Sequence, residues 1–115
     1  MNLSPLLPPP LERDVSKSVV QLFEAVGAKV YVTPQGMKPT ARSRRTAGLP
    51  DLWVFLPRRQ LGWFWELKRP SGKRSPAQIE FAVLCEMCRA RYGFGGVNEA
   101  KNFLSGLGLL EKGAA

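Results

Sequence analysis

The 115-residue sequence has no histidine and only two cysteines. The missing histidine excludes Ser-His-Asp and Cys-His catalysis and histidine-ligated zinc. Cys85 and Cys88 form a lone C-x-x-C pair inside an apolar helical pattern. Zinc would need two further ligands, and a redox pair would begin a helix instead of lying within one. We therefore expect both cysteines to be reduced thiols of the core.

Long hydrophobic runs are also missing. No segment approaches the ~20 apolar residues of a membrane helix, and the proline-rich start LSPLLPPP is too short and uncharged for a secretory signal. The length fits one domain with a modest core. We predict an extended arm over 1–10, a single domain over 11–110 and a tail over 111–115. The protein is expected to be soluble and intracellular, with no membrane partner and no small-molecule cofactor.

Acidic residues are scarce: nine stand against 17 Lys and Arg, which gives a net charge of +8. Such an excess favours nucleic acid as a partner. Between residues 38 and 74 the only acids are Asp51 and Glu66. The flanking cations expected to contact DNA phosphates are Lys38, Arg42, Arg44, Arg45, Arg69, Lys73 and Arg74. Phosphate contacts carry no sequence information, and the sequence shows no evident base-reading helix, so we expect structure-selective or nonspecific action on the nucleic acid.

Hydrophobic periodicity predicts an α/β fold with the element order α-β-β-β-α-β-α. The first helix is expected from about residue 11 to 26. Glu12 extends its apolar stripe of Val15 and Val19, although an acid also suits the positive helix N-terminus. The other predicted elements are strands over 28–33, 51–56 and 61–68, a helix over 76–91, a strand over 92–97, and a last helix capped by Asn98 and ending near Gly106.

Pairing of the two middle strands would bring their charged residues together. A hairpin turning at Arg58 and Arg59 places Asp51 opposite Glu66, with Cβ atoms ~5 Å apart on one face. Lys68 shares that face, because it lies two residues beyond Glu66. The arrangement fits an ordinary ion-pair cluster. It also fits a metal site, because adjacent carboxylates repel and a hard cation resolves the repulsion.

A carboxylate-held Mg²⁺ or Mn²⁺ suits phosphodiester hydrolysis, since it binds the phosphate and lowers the pKa of a water molecule. The Leu67 carbonyl is a candidate further ligand. Lys68 is a candidate to orient or deprotonate the attacking water, or to stabilise the transition state.

Three short stretches, GLPD at 48–51, WELK at 65–68 and SPAQ at 75–78, together resemble the PD-(D/E)XK nuclease superfamily. More narrowly they resemble the virus-type replication-repair nuclease (VRR-NUC) domain in its stand-alone form, over about residues 12–107. The resemblance implies a mixed central sheet flanked by helices. It implies that Asp51 and Glu66 hold the metal and that Lys68 is the catalytic lysine.

The same resemblance implies that Gln78 lies near the active site and that Glu12 points at the metal. Gln78 also completes a capping box with Ser75, and the sequence leaves both interpretations open. The implied activity is that of a metal-dependent DNA endonuclease acting on branched, junction or flap DNA in phage or prophage replication and repair. The alternatives are a non-catalytic nucleic-acid-binding module on a nuclease fold and an adaptor that uses the proline arm.

Stand-alone relatives of this kind resemble Holliday-junction resolvases and are expected to be homodimers. The sequence adds an indication of its own, because a small sheet does not readily bury so many aromatic side chains. A closed two-fold dimer would use the surplus. The residues concerned are Trp53, Trp63, Phe64 and Trp65.

Overall fold

The structure, a computed structural model, describes residues 12–33, 48–68 and 72–110, without the side chains of Glu12 and Arg13. The predicted arm, the predicted tail and most of the predicted DNA-binding cations lie outside the described residues. Those cations are Lys38, Arg42, Arg44, Arg45 and Arg69. Among the helices that are described, none has the length and apolar character needed to cross a membrane.

The predicted order of elements is confirmed. The chain forms α1 (Glu12–Ala25), β1 (Lys29–Val32), β2 (Leu52–Leu56), β3 (Leu61–Leu67), α2 (Pro76–Met87), β4 (Tyr92–Gly95) and α3 (Val97–Gly106). A 3-10 turn, Pro57–Arg59, joins β2 to β3, and Gln60 closes it with a left-handed φ of 54°.

The four strands form one mixed sheet in the order β1-β2-β3-β4. The β1/β2 and β2/β3 pairs are antiparallel, and the β3/β4 pair is parallel. In the β2/β3 hairpin Leu52 pairs with Trp65 and Leu56 with Leu61. This is the register predicted from a turn at the two arginines, and one step beyond Leu52 it sets Asp51 opposite Glu66.

One face of the sheet carries the hydrophobic core. Alternate residues of β2 are buried there, as the period of two requires, and α1 joins the same core through Val15, Val19 and Phe23. The Phe23 ring meets Trp63 and Trp65 edge to face, with centroids 5.4 Å away in each case. Trp63 and Trp65 are therefore core residues, and the prediction that they belong to an aromatic surplus is wrong.

The opposite face is covered only in part. Phe81 of α2 packs edge to face on Phe64 at 5.3 Å between centroids and lies 6.0 Å from Tyr92. These contacts place α2 over the β3–β4 half of the sheet. On the β1–β2 half Trp53 and Phe55 stay exposed.

Two predicted helix ends are corrected. The second helix ends at Met87, before the predicted Arg91, because Arg89 adopts a left-handed φ of 59° that turns the chain toward β4. Cys88 therefore lies at the helix end and is exposed, so only Cys85 is a buried thiol; both are free.

The last helix begins at Val97 and is capped by Gly96, not by Asn98. Its start is fixed by the Glu99 carboxylate, which accepts a hydrogen bond of 2.8 Å from the Gly96 amide. The carboxylate reaches back over three residues and holds the first turn, so the cap lies two residues before the predicted position.

Candidate active site

Asp51 and Glu66 lie side by side at the end of the β2/β3 hairpin. Asp51 Oδ2 accepts a hydrogen bond of 2.8 Å from the Leu67 amide, which ties the end of β2 to β3. Strand alternation puts Glu66 on the same face as Asp51, while Trp65 and Leu67 point into the core. The predicted juxtaposition of the two carboxylates is therefore present in the fold.

Glu66 is an acid enclosed by protein, with 2% of its surface exposed. Oε1 accepts a hydrogen bond from Gln78 Nε2, whereas Oε2 is buried and makes no hydrogen bond within the part of the chain that the structure describes. Burial, and then the charge of Asp51, raises the pKa of Glu66 to about 8, and the nearby Lys68 ammonium acts in the opposite direction. The site thus holds a carboxylate oxygen that needs a cation or a proton.

Gln78 joins the first turn of α2 to this acid. The Ser75 hydroxyl accepts from the Gln78 amide at 3.2 Å, and Gln78 Oε1 accepts from the Ser75 amide at 2.8 Å. The Ser75 amide can only donate, so it must face the side-chain oxygen of Gln78. The side-chain NH₂ group of Gln78 therefore points to Glu66. Gln78 thus completes the predicted capping box and also contacts Glu66, and Ser75 orients it. Its role in an active site stays a prediction.

The GLPD stretch is held against α2 by a close backbone approach. A Cβ atom at Gly48 would lie 2.3 Å from the Ala77 carbonyl oxygen, and Gly48 has a φ of +84°. Only glycine fits this position without strain. From the other side, Thr33 donates from Oγ1 to the Pro50 carbonyl at 2.6 Å and from its amide to the Asp51 carbonyl at 2.8 Å. The backbone at Asp51 is therefore clamped between β1 and α2.

Lys68 follows the last residue of β3, and its amide donates to the Gly95 carbonyl at 3.2 Å. Its side chain is half-buried and borders a cavity of about 420 Å³ between the starts of α1 and α3. Asp14, Ser18 and Glu99 also line this cavity. Glu12 begins α1, but its side chain lies outside the described residues, so its predicted approach to the metal stays a prediction.

Of the predicted DNA-binding cations, Lys73 and Arg74 are described. Lys73 is exposed, and the Arg74 guanidinium lies 3.9 Å from the centroid of the Phe94 ring. Phe94 is the register partner of Glu66 in the β3/β4 pair, so Arg74 is held over the same sheet face beside the acid. Stacking on the ring restricts the orientation of the guanidinium, which keeps its positive charge.

The donor set fits a hard divalent cation. Two carboxylates share one face, and a buried carboxylate oxygen has no donor to satisfy it. Within residues 12–33, 48–68 and 72–110 no three Asp, Glu, Cys or His side chains come together. A cation here would complete its shell with backbone carbonyls, water or substrate phosphate, which is how Mg²⁺ is commonly held.

A comparison with solved structures found a similar fold. A solved structure titled "VRR_NUC domain" superposes with a TM-score of 0.64 and 26% sequence identity, and the match covers 82% of this chain and 94% of that one. A scan against protein-family models found no match, and neither did a search of the curated proteins.

Fold and site together define a nuclease-fold domain: a mixed four-stranded sheet between helices, with paired acids at the hairpin end. More narrowly, the chain has the VRR-NUC fold, and the resemblance read from GLPD, WELK and SPAQ is confirmed.

Sequence reasoning missed two groups of residues around the site. The sequence predicts Ser75 as a helix cap only, because its effect on Glu66 depends on the distance between α2 and β3, which no local pattern supplies. The exposed rings of Trp53 and Phe55 share the face of Asp51, because they follow it by two and four residues along one strand. That alternation was available as a signal.

Proposed function

We propose that this protein is a Mg²⁺- or Mn²⁺-dependent DNA endonuclease that hydrolyses phosphodiester bonds. The observation that supports the proposal most strongly is the buried, unpartnered oxygen of Glu66 beside Asp51. Two carboxylates that face each other while one is this deeply buried need a shared proton or a cation between them, and an ordinary ion pair with Lys or Arg does not. In a cation-binding site this oxygen of Glu66 would be a ligand of the cation.

The proposed roles follow from the positions. Asp51 and Glu66 would hold the cation, with the Leu67 carbonyl as a further ligand and Glu12 as an acid approaching from α1. A bound divalent cation supplies charge neutralisation at the phosphate and lowers the pKa of a water molecule. Lys68 would orient that water or stabilise the transition state. Gln78, fixed by Ser75, would keep the Glu66 carboxylate in the orientation that binding needs.

DNA is the proposed substrate, and branched, junction or flap DNA the preferred form. The net charge of +8 and the fixed Arg74 beside the acids support binding of phosphates near the cation. The setting that we propose is intracellular, in phage or prophage replication and repair.

We also propose a homodimer. Ile79, Val83 and Met87 follow one another at four-residue spacing along α2, and each is exposed, Met87 by 73%. Such an apolar helix stripe suits an isologous contact, in which the same patch serves both copies. Two active sites would then be available for the two strands of a branched substrate.

The test is cleavage of a four-way junction, a flap and a plain duplex, with Mn²⁺, with Mg²⁺ and with EDTA. We expect metal-dependent nicking that favours the branched substrates and is lost in Glu66→Gln and Lys68→Ala. Glu80→Gln, which changes an exposed acid of α2, is the matched control and keeps activity. Salt-sensitive DNA binding without any nicked product in single turnover would instead support the non-catalytic module.

A further inference from the structure

We propose that the open half of the catalytic face binds an unpaired DNA strand by base stacking. We call this half the aromatic platform; it consists of Tyr31, Trp53 and Phe55. The proposed function supplies the identity of the ligand as DNA, but binding on the platform requires no cleavage. The single-stranded arm of a flap or branch would run from Asp51 and Glu66 onto the platform and bind there.

The sheet register puts the platform and the acids on one surface. Asp51, Trp53 and Phe55 alternate along one side of β2, and Tyr31 of β1 is the register partner of Trp53. A strand rises about 3.4 Å per residue, so Trp53 lies about 7 Å from Asp51 and Phe55 about twice as far. A strand cut at the acids can therefore continue directly over the rings.

The rings are unusually exposed for aromatic residues in a sheet. Tyr31 is 55% exposed, Trp53 39% and Phe55 46%, whereas the other two tryptophans are 3% and 1% exposed. Tyr31 and Phe55 meet edge to face at 6.0 Å between centroids, and Trp53 meets Phe64 in the same way at 5.6 Å. These contacts hold the rings upright while leaving aromatic surface open, as single-strand binding surfaces do.

The charges around the platform suit a polyanion. Lys29 lies beside Tyr31, with its ammonium 5.7 Å from the ring centroid. A cavity of about 310 Å³ next to Trp53, Phe55 and Phe64 has two charged lining residues, Arg89 and Arg91. Both are cations, so a phosphate backbone passing the rings finds positive charge on this side.

The same charges argue against a second copy of the chain as the occupant. In a two-fold contact the platform would face itself and bring Lys29, Arg89 and Arg91 close to the same cations of the other copy. The apolar stripe of α2, by contrast, is where we place the contact between copies. An unpaired DNA strand offers the platform both partners that it lacks: flat bases for the rings and phosphates for Lys29, Arg89 and Arg91.

The experiment measures binding of an oligothymidine of about 12 nucleotides to the full chain in EDTA, so that cleavage plays no part. Trp53 is the exposed tryptophan, and a stacked base should quench its fluorescence. The variants Trp53→Leu and Phe55→Leu keep apolar surface but remove the aromatic face. Val32→Ala is the control, since Val32 is exposed on β1 but alternates to the other face from Tyr31.

We expect each leucine variant to weaken binding by about 5- to 150-fold, and Trp53→Tyr to retain most of it. Val32→Ala should bind as the wild type does. Should one leucine variant fail to fold, by circular dichroism, the other decides. Unchanged affinity in the folded leucine variants, or binding without quenching of Trp53, would overturn the proposal. So would loss of a dimer in Trp53→Asp with oligothymidine affinity intact, because the platform would then be a contact between copies.

Discussion

Glu66→Gln should make the metal-free protein more stable at alkaline pH while removing the proposed nuclease activity. The native pKa of Glu66 is about 8, against an ordinary value of 4.5, because the side chain is buried and faces Asp51. Glutamine has the same shape and still offers an oxygen to Gln78 Nε2. It carries no charge, and its NH₂ group can donate to Asp51 in place of the unpartnered Oε2.

Proton linkage gives the sign and the size of the expected change in the free energy of unfolding. Between pH 4.5 and about pH 8 the native state keeps a proton that the unfolded chain has lost, so wild-type stability is highest below this interval and falls as pH rises through it. The interval between the two pKa values corresponds to about 5 kcal/mol. From about pH 5 to about pH 9 the stability of Glu66→Gln relative to wild type should rise by about 4 kcal/mol. That is a large part of a typical domain's stability.

The assay is urea unfolding of both proteins in EDTA at the two pH values, followed by circular dichroism. Glu80→Gln serves as the control for the loss of one exposed acid elsewhere, and it should follow the wild type at both pH values. Equal pH dependence in wild type and Glu66→Gln would refute the reasoning, because it would mean that Glu66 ionises at its ordinary pKa in the native state.

Three further predictions concern the supports of the site and the contact between copies. Ser75→Ala should lower Mn²⁺ affinity about tenfold in calorimetry, and Ser75→Thr should restore it; unchanged affinity would show that Gln78 needs no orientation. Gly48→Ala should cost about 1–3 kcal/mol in urea unfolding, because its Cβ would lie 2.3 Å from a carbonyl of α2. Gly106→Ala, whose Cβ would meet nothing within 4 Å, should lose no stability, so equal losses in the two variants would contradict the close approach. Met87→Asp should convert the proposed dimer to a monomer in sedimentation, and an unchanged mass would exclude the α2 stripe as the contact.

The hairpin register was predictable because two local signals agree. Alternation within β2 and β3 and the turn at Arg58 and Arg59 allow one pairing that buries both apolar sets. Once that register is fixed, Asp51 and Glu66 share a face without further information. Lys68 follows the end of β3 and borders the cavity between α1 and α3, so its place on that face stays a prediction. The apolar period of α1 likewise predicted the side that Val15 and Val19 bury.

The remaining features depend on contacts between elements. Trp63 and Trp65 are buried because α1 and α3 both pack on their side of the sheet, whereas Trp53 is exposed because α2 reaches only the other half. Strand composition is the same in both cases, so tertiary packing decides. In the same way Gln78 combines two roles only because the close approach at Gly48 brings α2 down onto the hairpin end.

The most direct test of a shared cation is a crystal soaked in Mn²⁺, with anomalous diffraction recorded. We predict one peak within about 2.0–2.6 Å of carboxylate oxygens of both Asp51 and Glu66, and none in Glu66→Gln. A peak bound by one of the two acids alone, or no peak at a Mn²⁺ concentration that supports cleavage, would contradict the account.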